Sequence, residues 1–271
     1  MMRSLYSGVS GLRTHQLRMD VIGDNIANVN TVGFKRSAVT FKDVFYQTLR
    51  GGSAGDSANG IGGTNPQQIG LGVTLGSIDV VHTQGAAAST GNGTDLMIQG
   101  DGFFIVKDAA GNLFYTRAGA FHFDNEGHLV TAEGMFVVQQ DGASEITVPL
   151  DARSYSIDKM GVVHFVASDG TLDSNQIIGL AKFANPAGLE KVGQNLYRET
   201  ASSGPAQTGK AGDAANGLAN TTLIPSALEM SNVDLAQEFT DMIITERGFQ
   251  ANARTITTSD QMLQELVNLK R

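Results

Sequence analysis

Leu5, Leu12, Met19 and Ile26 recur every seven residues near the start of the chain, and Leu235, Met242, Phe249, Ile256 and Leu263 do the same near its end. The spacing predicts two amphipathic helices with apolar seams, because positions seven apart fall on one helix face. The first covers residues 4–28. Val9 and Ile22 join its stripe, Arg13, Arg18 and Asp20 fall elsewhere, and it closes in an Asn- and Gly-bearing run, 28–33. At 1.5 Å per residue it spans roughly 36 Å. The second carries stronger end signals: Ser231 caps it with Asp234 three positions on, Asp234 and Glu238 suit its positive end, and Lys270 and Arg271 its negative end. Phe239, Ala253, Leu266 and Val267 broaden its stripe, and its length, roughly 55 Å, is large for burial in a compact domain. Gln16, Glu246 and Asp260 interrupt the second set of seam positions, where a polar residue either fixes register or marks a point at which the helices part.

Between these helices the rhythm changes to short apolar or alternating runs at 103–106, 113–115, 121–123, 136–138, 162–166 and 177–180. Turn signals separate them at Ala110-Gly111-Asn112, Asn125-Glu126-Gly127, Glu133-Gly134, Asp141-Gly142 and Asp169-Gly170. An antiparallel all-β domain over residues 77–200 follows. Gly/Ser/Ala/Thr/Asn-rich stretches at 51–63 and 201–217 flank it like flexible joints. The predicted organisation is therefore mixed: residues 1–33 with 226–271 as a helical domain whose two ends pair, 34–76 as a connector, 77–200 as the β domain, and 201–225 as the returning linker.

The chain has 271 residues, net charge −8 and no Cys, so disulfides, thiolate metal sites and cysteine nucleophiles are excluded. The acidic balance argues against a nucleic-acid partner, which needs a basic face. The charge is unevenly spread, with seven Lys/Arg against three Asp/Glu in residues 1–50, and four against seven in residues 226–271. A basic first helix and an acidic last one attract each other, though exposed pairs contribute only about 0–1 kcal/mol each. Neither a secretory leader with an apolar core nor a stretch of membrane-spanning length is visible, so no membrane insertion is expected.

Candidate chemistry is sparse. Gly51-Gly52-Ser53-Ala54-Gly55 matches the G-x-S-x-G nucleophile elbow but sits in a low-complexity run without the required strand and helix. Ser156-Ile157-Asp158-Lys159 matches S-x-x-K without its companion motifs. Gly70-Leu71-Gly72 completes no phosphate loop, and Asp124-Asn125-Glu126-Gly127 lacks the rest of a calcium loop. The five histidines include no helical i, i+4 pair; His122 and His128 facing each other across a turn would supply only two ligands. No catalytic, cofactor or metal site is assigned, and function is expected to lie in surfaces and assembly. The rivals are a secreted β-rich hydrolase using Ser53 and an adhesive or phage-tail-like fibre subunit.

The run Asp24-Asn25-Ile26-Ala27-Asn28-Val29-Asn30-Thr31-Val32-Gly33-Phe34-Lys35 resembles the N-terminal signature of the bacterial flagellar rod and hook proteins, the axial family. Leu228-Glu229-Met230-Ser231-Asn232-Val233-Asp234-Leu235, followed by Glu246-Arg247-Gly248-Phe249-Gln250-Ala251-Asn252, is similar to its C-terminal counterpart. Within the family, Gln68-Ile69-Gly70-Leu71-Gly72-Val73, Gly100-Asp101-Gly102-Phe103-Phe104, Tyr115-Thr116-Arg117-Ala118-Gly119, the run 180–189 and the tail 256–269 resemble hook-type sequence. The size leaves room for only one β domain, as in the short hook subunits of Gram-positive bacteria that are easily labelled distal rod proteins.

The resemblance implies a structural subunit that self-assembles into a helical tube, with paired terminal helices inside and the β domain outside, and transmits torque for swimming. It implies partners too: further copies of the chain, distal rod subunits, hook cap and hook–filament junction proteins, and the flagellar export apparatus. Export without a cleavable signal to a hook or basal body on the cell exterior follows. The expected assembly seam is the ten apolar positions Leu5, Val9, Leu12, Met19, Ile26, Leu235, Met242, Phe249, Ile256 and Leu263. The motif residues are Asn25, Asn28, Asn30, Gly33, Phe34, Ser231, Asn232 and Asp234, which either anchor the chain at the helix end or contact partners. The termini are expected to become ordered on assembly, and the joint at 51–63 to let the tube bend.

Overall fold

The computed structural model describes residues 2–54, 62–149, 152–167 and 170–269. The chain forms two compact units, one of Met1–Ile26, Ser37–Asp79 and Asp234–Arg271, the other of Ala27–Arg36 and Val80–Val233. It combines terminal helices with antiparallel sheets, the mixed class that the sequence predicts.

In the first unit, α1 (Met2–Ala27) and α2 (Leu235–Leu269) pair antiparallel, as the sequence predicts for the two ends of the chain. Their contact face is rich in polar and small residues. On α1 it buries Gly8, Gly11, Thr14, Ile22 and Asn25; on α2 it buries Glu238, Thr245 and Ser259, with half-buried Asn252 completing a seven-residue repeat. Glycine inside a helix costs roughly 1 kcal/mol against Ala. Here it permits close approach, since a Cβ on Gly11 would meet the Asn252 side chain at 2.8 Å.

On α2 the apolar positions 235, 242, 249 and 256 run three residues before the polar repeat and so flank it on the same side of the helix, Ile256 reaching Gly8 of α1. Leu235, Phe249 and Val9 are exposed, while Leu5, Leu12, Met19, Ile26, Met242, Ile256 and Leu263 are half-buried. The cap also moves. Asp234 Oδ1 accepts the Ala236 N–H at 2.9 Å and the Gln237 N–H at 3.5 Å, so Asp234 rather than Ser231 caps α2. Ser231 Oγ instead accepts the Val233 N–H at 3.3 Å. Lys270 and Arg271 lie outside the described residues.

Residues 34–76 are not a plain connector. Ser37–Asp43 pairs with Val73–Val80, and Tyr46–Arg50 forms an antiparallel hairpin with Gln67–Gly70 that continues to a Ser53–Thr64 bridge. Ser53 Oγ lies 2.8 Å from Thr64 Oγ1, so it is a cross-strand partner and not the tip of a nucleophile elbow. The central part of the Gly-rich joint, residues 55–61, falls outside the described residues.

In the second unit, among the described residues, nine strands form one antiparallel sheet around Phe103–Lys107. That strand pairs with Leu113–Thr116 on one side and with both Phe136–Val137 and Leu180–Lys182 on the other. Its side chains alternate across the sheet. Phe104 and Val106 enter a core with Leu96, Ile98, Leu129, Val163 and Leu223, while Phe103 and Ile105 enter another with Tyr115, Phe183 and Tyr197. Burial on both faces explains the unbroken apolar run at 103–106.

Three expectations change here. The run 177–180 is not one strand: Leu172–Ile177 ends at its first residue, Leu180–Lys182 begins at its last, and Ile178 bridges Gln139. The stretch 201–225 is folded, with Gln207–Gly209 joining the large sheet and Thr222–Pro225 pairing with Leu96–Gln99, while Ala211 and Leu218 reach the core. Across the turn at 124–127, Val130 rather than His128 stands opposite His122; His128 lies 3.7 Å from Glu145 and 3.8 Å from Glu126.

Candidate functional site

The two signature motifs meet inside the second unit around a buried charge cluster. After α1 the chain turns with Thr31 Oγ1 on Asn28 Oδ1 at 3.1 Å, and Gly33 takes φ +70. Its N–H donates to Glu229 O at 2.8 Å, and a Cβ there would stand 2.6 Å from the Ala118 nitrogen, so both the conformation and the space require glycine. Phe34 is buried under the Lys191 ammonium, 4.7 Å from its ring centroid, and Asn195 Nδ2 holds Val32 O at 2.8 Å.

Lys35 follows, its side chain wholly buried. It donates to Glu229 Oε1 and to Thr83 O at 2.8 Å. Glu229, equally buried in the edge strand Ala227–Glu229, also accepts the Gly85 N–H at 2.9 Å and Arg117 Nη1 at 3.3 Å. Asn232 completes the clasp: its Oδ1 accepts the Arg36 N–H at 2.8 Å, and its Nδ2 donates to Val81 O at 2.8 Å. One short C-terminal segment thus gathers residues 33–36, 81–85 and 117 through charge-assisted and backbone bonds.

The electrostatics follow from burial. Desolvation pulls the Lys35 pKa below its ordinary value, with Glu229 opposing that shift. Arg117 is lowered for the same reason and likewise supported by Glu229. His82 is pushed down to about 4 by burial first and then by Arg117, Lys35 and Lys191, so it is neutral at pH 7. These groups clamp backbone; nothing in the cluster pairs a nucleophile with a base.

In the first unit, Asn25 is 1% exposed. Its amide exchanges hydrogen bonds with Ser37 N and O, both at 2.9 Å, and donates to Glu238 Oε2 at 3.3 Å. Of the motif residues, Asn25, Gly33, Phe34, Asn232 and Asp234 have internal structural duties here, Asn28 and Ser231 bond locally, and Asn30 is exposed. Sequence reasoning assigned no role to Lys35, Arg117, Glu229 or His82. A signal existed for one of them: Glu229 sits within Ala227-Leu228-Glu229-Met230, a lone charge in apolar surroundings. Among the described residues, no His/Asp/Glu group is placed to hold a metal ion, and no helix is long and apolar enough to cross a membrane.

A helix-borne N-terminal signature, a β body and a C-terminal signature closing onto the first through Glu229 and Asn232 define an axial subunit of the bacterial flagellum. The chain belongs to the flagellar rod and hook protein family. Its residues 5–35 match the family model "Flagella basal body rod protein", 97–165 match "Flagellar hook protein FlgE/F/G D1 domain", and 224–269 match "Flagellar basal body rod FlgEFG protein C-terminal". It is similar to the flagellar basal-body rod protein FlgG of Bacillus subtilis, with 52% identity over all of both chains. It is also similar to FlgG of Caulobacter vibrioides, at 40% over 99% of this chain and all of that one. The flagellar hook protein FlgE of Borreliella burgdorferi is 33% identical, with both chains fully covered. The protein is therefore a structural component of the flagellar rod or hook and not an enzyme.

Proposed function

We propose that the chain is a subunit of the distal rod, polymerising helically to carry torque from the basal body towards the filament. The observation that carries this reading is the 52% identity to a rod protein over the full length of both chains. The alignments with hook proteins of Borreliella burgdorferi and Treponema pallidum extend over 448 and 470 positions for this chain of 271, so those relatives hold long stretches with no counterpart here. This favours the rod over the hook that the sequence motifs alone suggest.

In the polymer, the terminal helices form the inner wall and the β domain faces outward. The apolar positions of α1 and α2 beside the polar contact face, together with exposed Phe239, Ile243 and Ile244, bury against neighbouring copies. Further partners are the adjoining rod and hook subunits, the hook cap and junction proteins, and the export apparatus. The second reading, a hook subunit, is supported by hook-type runs at 100–104, 115–119 and 180–189 and by full coverage of this chain in the hook alignments. Gold labelling of an epitope-tagged chain on isolated hook–basal bodies separates them. Label confined to the straight segment below the hook is expected; label along the curved hook overturns the rod assignment.

A further inference from the structure

Three segments that the sequence sets apart, 100–104, 115–119 and 180–185, converge on one cavity of about 210 Å³. Phe103, Phe183 and Pro186 supply apolar wall, while His82, Arg117, Lys182 and Asp101 supply its polar groups. Arg117 is 4% exposed and stacks on the Phe103 ring at 5.3 Å. Its Nη1 is bonded to Glu229 and its Nη2 to Gly100 O at 2.9 Å, but its buried Nε has no hydrogen-bond partner. Lys182 Nζ reaches Asp101 Oδ2 at 3.1 Å and Gly217 O at 2.9 Å, which uses two of its three donors.

The charge around this space does not balance. Arg117, Lys182 and the Lys35 ammonium behind them face only Glu229 and Asp101, and Asp101 is itself largely exposed. Because Nε is itself sealed from solvent, an anion entering the cavity would be held by the guanidinium charge and by the third Lys182 donor. The space is below the roughly 300–1,000 Å³ of sites for drug-sized ligands, which excludes a nucleotide, and its aromatic wall suits a short methylene stem.

We propose that this cavity is a carboxylate receptor, filled in the polymer by an Asp or Glu side chain of a neighbouring copy. The identity of the donor rests on the proposed axial function; the existence of the site does not. The chain has the complementary groups to offer, with 27 acidic residues against 19 basic ones.

The test uses the full-length protein as a dilute monomer, titrated with sodium glutarate and observed by NMR at the Gly102 and Ala184 amides and the His82 ring. Saturable shifts are expected with glutarate and none with neutral glutaramide, and inorganic phosphate should compete poorly because it lacks the stem. Lys182→Glu should weaken glutarate binding about tenfold or more, with Lys182→Gln intermediate and both melting like the parent protein. Absence of saturation, or equal binding of glutaramide, overturns the receptor. For the donor, assembled filaments should no longer take up glutarate, and Lys182→Glu should assemble poorly. Filaments that bind glutarate as the monomer does would make this a free-anion site and overturn the neighbour assignment. Gold label on the hook would refute the rod reading without touching the cavity.

Discussion

Glu229→Gln should destabilise the second unit by about 3–5 kcal/mol, the range expected when one partner of a buried ion pair is removed and the other charges stay behind. The carboxylate is the hub of the cluster: it takes Lys35 and the Gly85 N–H on one oxygen and Arg117 on the other. An amide keeps the shape but leaves two cations, with side chains 0% and 5% exposed, sharing a dry site without a counter-ion. Lys35→Met should cost less, about 1–3 kcal/mol, because it preserves the stem volume and the Arg117–Glu229 pair and leaves the Thr83 carbonyl without its lysine donor. The double variant should be more stable than the sum of the two losses predicts, since Lys35→Met removes one of the cations that Glu229→Gln strands. The assay is urea unfolding followed by near-ultraviolet circular dichroism. The chain has no Trp, and Tyr115 and Tyr197 are buried in the second core cluster of this unit, so the signal reports locally. If Glu229→Gln unfolds within about 0.5 kcal/mol of the parent, or if Lys35→Met is the costlier change, the cluster is not organised around the carboxylate.

Three further outcomes are expected. His82 has a folded-state pKa near 4 against 6.5 unfolded; its contribution is complete above pH 6.5 and is lost as pH falls towards 4, by about 3 kcal/mol at most. Comparing pH–stability curves of the parent and His82→Asn checks this, and identical slopes between those pH values would reject it. Gly33→Ala should cost about 2 kcal/mol or more, from the left-handed φ and the 2.6 Å approach to Ala118, measurable as a lowered melting temperature. Leu12→Asp and Phe249→Asp should abolish filament formation in sedimentation and electron microscopy while leaving the β unit's circular dichroism intact; normal filaments from either would remove that residue from the assembly seam.

The helices and much of the strand set were legible because each rests on local periodicity. The run 103–106 was visible as a strand because a doubly buried strand is continuously apolar, and 121–123 and 162–166 were found at their observed bounds. The α2 cap falls three residues beyond the predicted Ser231 because both residue types cap well and it is Asp234 that reaches the free N–H groups of the first turn, Ser231 being spent on Val233. The stretch 201–225 looked like linker because Gly and Ser dominate it, yet tertiary pairing of Thr222–Pro225 with Leu96–Gln99 overrides composition. The charge cluster was least legible. Its members are 35, 117 and 229, and no local rule joins residues 112 and 194 positions apart.

In the helix pair, polar partners add register to what the apolar heptads supply, Ile256 among them packing beside Gly8. An apolar stripe specifies burial but tolerates slippage, because one leucine substitutes for the next. Polar partners do not: Asn25 fits Glu238 and the Ser37 backbone, Arg18 fits Asp241 at 3.0 Å, and the Asn252 side chain needs the gap at Gly11. A shift of one turn would break the buried Asn25–Glu238 bond, at roughly 1–3 kcal/mol. Register within the chain is therefore fixed by specific pairs: Glu238 with Asn25, Asn252 in the gap at Gly11, and Ser259 with Ser4. Leu235 and Phe249 meanwhile stay partly exposed in the single chain. Under the proposed function this divides the labour: polar complementarity sets how one chain folds back on itself, and the less discriminating apolar surface supplies the adhesion that many identical copies share.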